Sequence, residues 1–172
     1  GNTAGQPILL RFSDDRGRTW GARVTVSSAT AGGVGAIPLV QPDGALTVIY
    51  EDFTGGDDEV AQTSHDGGVS FGPQVTIGSF QGGALPDIRS GGLPAAAIDP
   101  VTGNLYAAWE DLRFRSDGVR DIVISRSTDS AASWSALSRV NPDPPNSQLD
   151  HFTPAVTALN GRVYLTYRTR SV

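Results

Sequence analysis

Two short acidic segments recur in the chain, each directly after an aromatic residue: Tyr50-Glu51-Asp52 and Trp109-Glu110-Asp111. In an extended strand, each aspartate shares a face with the aromatic residue and the glutamate points the other way. Glycoside hydrolysis requires two carboxyls, one acting as an acid and the other as a base or nucleophile. Asp52 and Asp111 are therefore candidate catalytic residues.

Arginines, of which Arg113 and Arg115 directly follow one of these acidic segments, could hold the carboxylate of an acidic sugar through paired hydrogen bonds. The candidate substrate-binding residues are Arg89, Arg113, Arg115 and Arg168. The alternative is that an acid–arginine pair fixes a loop in every repeat. Because Asp52 and Asp111 recur with the repeat, whereas catalytic residues are normally unique, the recurrence favours this structural role for the two aspartates.

The composition excludes several classes of protein. The chain has 172 residues, no cysteine and a formal net charge of −5, which excludes disulfide frameworks and thiol nucleophiles and disfavours a nucleic-acid partner. No apolar run is long enough to span a bilayer. His65 and His151 lack the spacing of metal ligands, so no metal site is expected. Residues 57–59 are acidic and could hold calcium, but no EF-hand spacing follows, and no cofactor is expected.

Three octapeptides, residues 13–20, 64–71 and 127–134, share the pattern Ser-x-Asp-x-Gly-x-[Ser/Thr]-aromatic, with Ala131 replacing glycine in the third. Glycine permits a positive φ in a tight turn, and the aspartate can accept N–H groups of its own loop. These octapeptides are therefore predicted to be self-contained structural turns rather than ligand sites. Their defining residues are Ser13, Asp15, Gly17 and Trp20; Ser64, Asp66, Gly68 and Phe71; and Ser127, Asp129 and Trp134.

Hairpin signals alternate with the octapeptides and predict units of four antiparallel strands, about 57 residues each. Counted along the chain, the predicted units contain two, four, four and two strands. This series divides the chain into a partial blade (1–35), full blades (about 36–91 and 92–152) and a second partial blade (153–172). Four-stranded repeats pack radially as propeller blades. The sequence therefore predicts an all-β propeller of about three blades' worth, half or a fragment of a six-bladed ring.

The octapeptide resembles the Asp-box of bacterial neuraminidase-type repeats, found in sialidases and other secreted propellers. The resemblance implies an extracellular or cell-surface propeller whose boxes connect the third and fourth strands of each blade, opposite the active site. It also implies an exo-sialidase-like glycoside hydrolase with a tyrosine nucleophile, for which Tyr167 is the candidate, and an aspartate acid/base, for which Asp52 or Asp111 could stand. The family also carries an Arg-Ile-Pro segment. The matching prolines here are Pro38, Pro94 and Pro154, and none is preceded by the corresponding arginine.

Two functions remain open at this stage. One is a sialidase-like secreted propeller that acts on or binds glycans, with hydrolysis uncertain. The other is a non-catalytic propeller that serves as a scaffold for protein–protein interaction. Expected partners are a carbohydrate or glycoconjugate, and either a second copy that closes a six-bladed ring as a homodimer or the remainder of a longer propeller chain.

Overall fold

The structure is a computed structural model that describes residues 5–82 and 91–172. Its strands are β1 (Leu9–Leu10), β2 (Val24–Thr25), β3 (Gly33–Val40), β4 (Leu46–Asp52), β5 (Asp58–Ser64), β6 (Val75–Ser79), β7 (Ala95–Ile98), β8 (Leu105–Asp111), β9 (Asp121–Ser127), β10 (Ser138–Arg139), β11 (Leu149–Leu159) and β12 (Arg162–Ser171). No helix in the described ranges has the length and apolarity needed to cross a membrane.

The strands form four antiparallel sheets in chain order: β1–β2, β3–β4–β5–β6, β7–β8–β9–β10 and β11–β12. The predicted series of two, four, four and two strands is thereby confirmed. β3 and β11 begin at Gly33 and Leu149, ahead of the boundaries predicted at 36 and 153. In both cases the ladder continues past an irregularity, between Val34 and Ile37 in β3 and between Phe152 and Ala155 in β11.

The hydrophobic core lies between successive sheets. Ile49 and Ala61 of one four-stranded sheet pack with Leu105 and Trp109 of the next. A second cluster, which includes Tyr50, lies between that first four-stranded sheet and β1–β2. Each sheet thus buries its faces against its neighbours, as propeller blades do.

The three octapeptides form closed hydrogen-bonded turns, as predicted. In the second, the Ser64 hydroxyl donates to Asp66 (2.8 Å) and accepts the Gly68 N–H (2.8 Å), while Asp66 accepts the Ser70 N–H (2.9 Å). The Ser70 hydroxyl also donates to Asp66 (2.6 Å), and this bond, with those from the Ser70 N–H and the Ser64 hydroxyl, lowers the pKa of Asp66 to about 2. Gly68 has φ +87°, so the expected need for glycine is met.

The box turns and the β4–β5 and β8–β9 loops lie at opposite ends of the sheets, because successive antiparallel strands reverse direction. We call the end with the β4–β5 loop (53–57) and the β8–β9 loop (112–120) the upper face. The end with the box turns is the lower face.

Candidate functional site

A cavity of about 610 Å³ opens on the upper face, where β3, β7 and β11 lie side by side. This volume is typical of small-molecule sites. The cavity wall is largely apolar, and its described carboxyl groups belong to two glutamates. The lining residues that matter below are Val34, Leu93, Pro94, Pro154, Glu51 and Glu110.

Glu51 and Glu110 reach the cavity from equivalent positions in consecutive sheets. Each precedes the last residue of the second strand of its sheet, β4 or β8. Strand alternation turns both glutamates away from the aromatic–aspartate face and toward the following sheet. Both are buried, with exposed fractions of 7% and 2%.

Donors surround Glu110 and stabilise its ionised form. The Arg120 guanidinium, itself buried, forms an ion pair with the Glu110 carboxylate. The Thr153 N–H donates to Oε2 (3.1 Å), and the Gly92 N–H lies 3.5 Å from Oε1. These donors hold the Glu110 carboxyl group in place at the cavity wall.

Glu51 lies in different surroundings. Among the described residues, no hydrogen bond or ion pair stabilises its carboxylate. Burial, followed by the charge of Asp57, raises the pKa of Glu51 to about 6. The cavity therefore holds two carboxyls in unlike surroundings, one held by a guanidinium and backbone N–H groups and the other with a pKa raised by burial.

The predicted catalytic aspartates lie on the other face of their strands and are not among the residues lining the cavity. Asp52 accepts hydrogen bonds from the Thr54 N–H (2.9 Å) and Gln74 Nε2 (3.0 Å). Asp111 accepts two hydrogen bonds from the Arg113 guanidinium, both at 2.8 Å, and one from the Gln81 N–H (3.0 Å). These contacts anchor neighbouring loop segments, in line with the structural alternative.

Arg115 likewise has its guanidinium occupied. It forms a paired interaction with Asp117, at 2.9 and 2.6 Å, and lies 3.7 Å from Asp121 and 3.6 Å from Asp143. This cluster also contains His151, whose Nε2 is 2.8 Å from Asp143.

Asp121, Asp143 and His151 have potential metal-ligating atoms within 4.8 Å of one another. Arg139 adds a second positive charge, 2.8 Å from Asp121. Because two guanidiniums already offset these carboxylates, the cluster works as an ion-pair network that joins β9, β10 and β11.

The remaining predicted site residues are dispersed. Arg168 pairs with Phe152 across β11–β12, and Glu51 pairs with Val34 across β3–β4. In the β11–β12 sheet, Arg168 therefore occupies the position that Glu51 occupies in the β3–β6 sheet. Arg168 is exposed and is not a lining residue of the cavity. Tyr167 packs edge-on against His151, with ring centroids 5.2 Å apart. Arg89 lies outside the described residues.

Strand register also changes the predicted proline correspondence. Pro38 pairs with Val48, whereas Pro94 directly precedes Ala95, which pairs with Ala108. When β4 and β8 are aligned on their terminal aspartates, Val48 is equivalent to Ala107. Pro38 therefore corresponds to the residue that pairs with Ala107, which is not Pro94. The presence of proline in both segments had suggested an equivalence that the register does not support.

Sequence reasoning did not assign the two cavity glutamates to the site. It placed them on the opposite face from Asp52 and Asp111, and that alternation was the available signal. The sequence alone did not indicate that this second face ends in a cavity, since the cavity depends on the packing of three separate sheets.

Solved structures share the fold over nearly the whole chain. An α-L-arabinanase from Penicillium chrysogenum, solved with arabinobiose, matches with a TM-score of 0.61 and 20% identity, over 94% of this chain and 49% of its own. An intramolecular trans-sialidase from Ruminococcus gnavus, solved with oseltamivir carboxylate, matches with a TM-score of 0.56 and 18% identity, over 92% of this chain and 33% of its own.

The leech intramolecular trans-sialidase, with 2,7-anhydro-Neu5Ac, has a TM-score of 0.52 at 17% identity, over 95% of this chain and 27% of its own. The chain therefore spans about half or less of the length of these structures. No protein-family model and no curated protein matches the sequence. The predicted resemblance to sialidase-type propellers is confirmed as a likeness of fold, and arabinanases share that fold.

Proposed function

We propose that this chain forms part of a carbohydrate-active propeller that binds a glycan in the upper-face cavity and hydrolyses its glycosidic bond. The observation that carries the proposal is the pair of cavity glutamates in unlike surroundings, Glu51 without a described donor and Glu110 held by Arg120 and backbone N–H groups. The structural relatives whose names include arabinanase and trans-sialidase support a glycan-directed role.

In the proposed reaction Glu51, in its protonated form, gives its proton to the glycosidic oxygen as the bond from that oxygen to the anomeric carbon breaks. The ionised Glu110 faces the positive charge that develops on the sugar ring. Water then supplies the hydroxyl group at the anomeric carbon, and its released proton returns to a carboxylate. Atoms and charge balance, because one water is consumed for each bond broken.

The cavity chemistry favours a neutral sugar. Its described lining carries two carboxyls and no arginine, so a sugar carboxylate would meet like charge. The apolar side chains of Leu93, Pro94 and Pro154 offer a surface for the C–H face of a sugar ring. An exo-sialidase, which would cleave an acidic sugar at the same cavity, is the second candidate activity. The resemblance to secreted propellers supports action outside the cell.

We also propose that further blades cover the open faces of the two partial sheets. A second copy of this chain, closing a six-bladed ring, and the remainder of a longer chain are the two sources. The partial coverage of the solved propellers supports an incomplete ring.

The function is tested by assaying hydrolysis of aryl arabinofuranosides, arabinan and aryl sialosides, together with binding to a glycan array. We expect Glu51→Gln and Glu110→Gln each to lower kcat/KM by about 100-fold or more, because each removes an acid–base or charged group from the reaction. Asp43→Asn is a matched carboxyl-to-amide change in the β3–β4 turn, away from the cavity, and should leave the rate unchanged.

Failure of the chain to hydrolyse or bind any glycan would contradict this proposal. That outcome would favour the non-catalytic scaffold. The hydrogen bonds from the Arg113 guanidinium to Asp111 already give this repeated aspartate a structural role.

A further inference from the structure

A third glutamate, Glu59, lies directly opposite Glu51 on the β4–β5 ladder. Directly opposed residues have Cβ atoms about 4.5–5.5 Å apart, so their carboxyl groups can meet. Glu59 is fully buried, and within the described ranges no N–H or O–H group donates a hydrogen bond to either of its carboxyl oxygens. An unpartnered buried carboxyl is costly, so its place beside a cavity residue calls for a chemical reason.

The neighbouring sheet shows that this acid is not part of the repeat. Ile122 lies opposite Glu110 just as Glu59 lies opposite Glu51. An apolar residue therefore fills the same position where the cavity glutamate already has Arg120 as a partner. On its other side Glu59 pairs with Gly78, which offers no side chain. Glu59 is thus a departure from the blade pattern located beside the cavity.

The charges near this pair are mostly negative. Glu51, Asp111 and Asp58 act on Glu59, and Asp57 acts on Glu51. Arg113 is the neighbouring cation, and both of its contacts at 2.8 Å go to Asp111.

The two carboxyls consequently ionise at different pH. Burial, followed by the charges of Glu51, Asp111 and Asp58, raises the pKa of Glu59 to about 9. The pKa of Glu51 is about 6. Between these values Glu51 is ionised, Glu59 keeps its proton, and the pair carries one proton in total.

We propose that Glu51 and Glu59 form a coupled carboxyl pair, in which Glu59 is a positioning residue that keeps its proton and donates it as a hydrogen bond to the Glu51 carboxylate. This inference rests on the proposed function and deepens it. When Glu51 gives its proton to the glycosidic oxygen, the Glu51 O–H bond breaks and the Glu59 O–H bond stays intact. Water that enters the cavity later returns a proton to Glu51.

The sequence makes the pair accessible to direct measurement, since Glu51, Glu59 and Glu110 are its only glutamates. Labelling the glutamate side-chain carboxyl carbon with ¹³C gives three NMR signals, each assigned by one Glu→Gln variant of the 172-residue chain. In the wild type we expect the Glu51 signal to titrate near pH 6 and the Glu59 signal near pH 9.

Variants test whether the two groups are coupled. Glu51→Gln should lower the Glu59 midpoint by about one pH unit or more, because a neutral amide replaces a neighbouring negative charge. Glu110→Gln is the matched control; it removes the other cavity carboxyl and should leave the Glu59 midpoint in place.

Glu59 variants test its role as a donor. Glu59→Ile removes the donor and should raise the Glu51 midpoint, and with it the alkaline limb of the pH–rate profile. Glu59→Gln keeps an N–H donor and should hold that midpoint within about half a unit of the wild type.

Two results would overturn the pair: titration of both wild-type glutamates below about pH 5, or a Glu59 midpoint that stays fixed in Glu51→Gln. The first needs no variant to fold. Coupled titration in a chain that hydrolyses no glycoside would reject the proposed function and the catalytic part of this inference, while the carboxyl pair itself would stand.

Discussion

Glu59 combines complete burial with a carboxyl group that receives no hydrogen bond from a described donor, so it opposes folding beside the cavity. Its ordinary pKa of 4.5 rises to about 9 in the fold. Between these values the folded state binds more protons than the unfolded chain, and stability therefore falls as pH rises across that interval. In the proposed role of Glu59, this cost is the compromise between stability and activity that active sites commonly make.

Replacement of Glu59 by isoleucine, the residue at the equivalent position of the next sheet, should stabilise the protein. We expect a gain of about 1–3 kcal/mol in the free energy of unfolding near neutral pH, because the variant no longer buries a carboxyl group among neighbouring negative charges. The gain should grow from about pH 6 to pH 9, because Glu51 titrates in both proteins whereas the loss of stability caused by Glu59 occurs only in the wild type. Urea unfolding at several pH values measures it.

Glu59→Gln separates the effect of titration from that of burial. It removes the ionisable group and keeps a buried polar one, so above about pH 6, where Glu51 has already ionised, its stability should depend on pH much less than that of the wild type, while remaining below that of Glu59→Ile. Wild-type and Glu59→Ile stability curves that run parallel with pH would contradict the assignment.

Residues with local roles could be predicted from the sequence, and those with non-local roles could not. The Asp66 carboxylate finds its donors within four residues, so its spacing alone indicates the turn. Glu51, by contrast, reaches a cavity whose wall comes from β3, β7 and β11. The spacing of residues in the sequence does not indicate how three separate sheets pack against one another.

At the scale of elements, the box turn is the unit that the sequence predicts best. Gly17 and Gly68 occupy the same position of the box, with φ +84° and +87°. The length of the strands flanking the first box is less predictable, since β1 and β2 extend only over Leu9–Leu10 and Val24–Thr25. In the described structure β1 and β2 pair only with each other, so their ladder is shorter than those of the four-stranded sheets.

Alanine substitutions in the boxes should separate backbone strain from crowding. A Cβ added at Gly17 meets nothing within 4 Å, so Gly17→Ala should cost about 1–2 kcal/mol from the left-handed backbone alone. At Gly68 the Cβ would approach Leu10 at 3.0 Å and Leu46 at 3.4 Å, so Gly68→Ala should cost more. Thermal or urea unfolding of the two variants gives the difference.

Gly55 in the β4–β5 loop provides the matched control. It lacks a positive φ and has open space at its Cβ, so Gly55→Ala should be neutral or stabilising by up to about 1 kcal/mol. Equal losses in Gly17→Ala and Gly68→Ala would show that crowding adds nothing in the second box.

At the scale of the whole molecule, each four-stranded sheet is packed on both sides, whereas within residues 5–82 and 91–172 each two-stranded sheet has one face without a neighbouring sheet. Leu9 on β1 is 47% exposed and Tyr164 on β12 is 55% exposed. Both side chains point away from the buried face of their sheet, because Leu10 belongs to the core cluster and the Tyr167 face packs toward His151. Such faces are normally covered in a propeller, since each blade packs against two neighbours.

Light scattering on the 172-residue chain, whose mass is 18.0 kDa, tests which source of blades covers these faces. Completion by a second copy predicts a particle of twice that mass at micromolar concentration, because two half rings joined by a two-fold axis leave no open face. Tyr164→Glu should shift the particle toward the monomer by placing a charge on the covered face. Val69→Glu, an equally drastic change at an exposed box-turn residue, should leave the mass unchanged. A stable monomer in the wild type would instead assign the missing blades to a longer chain.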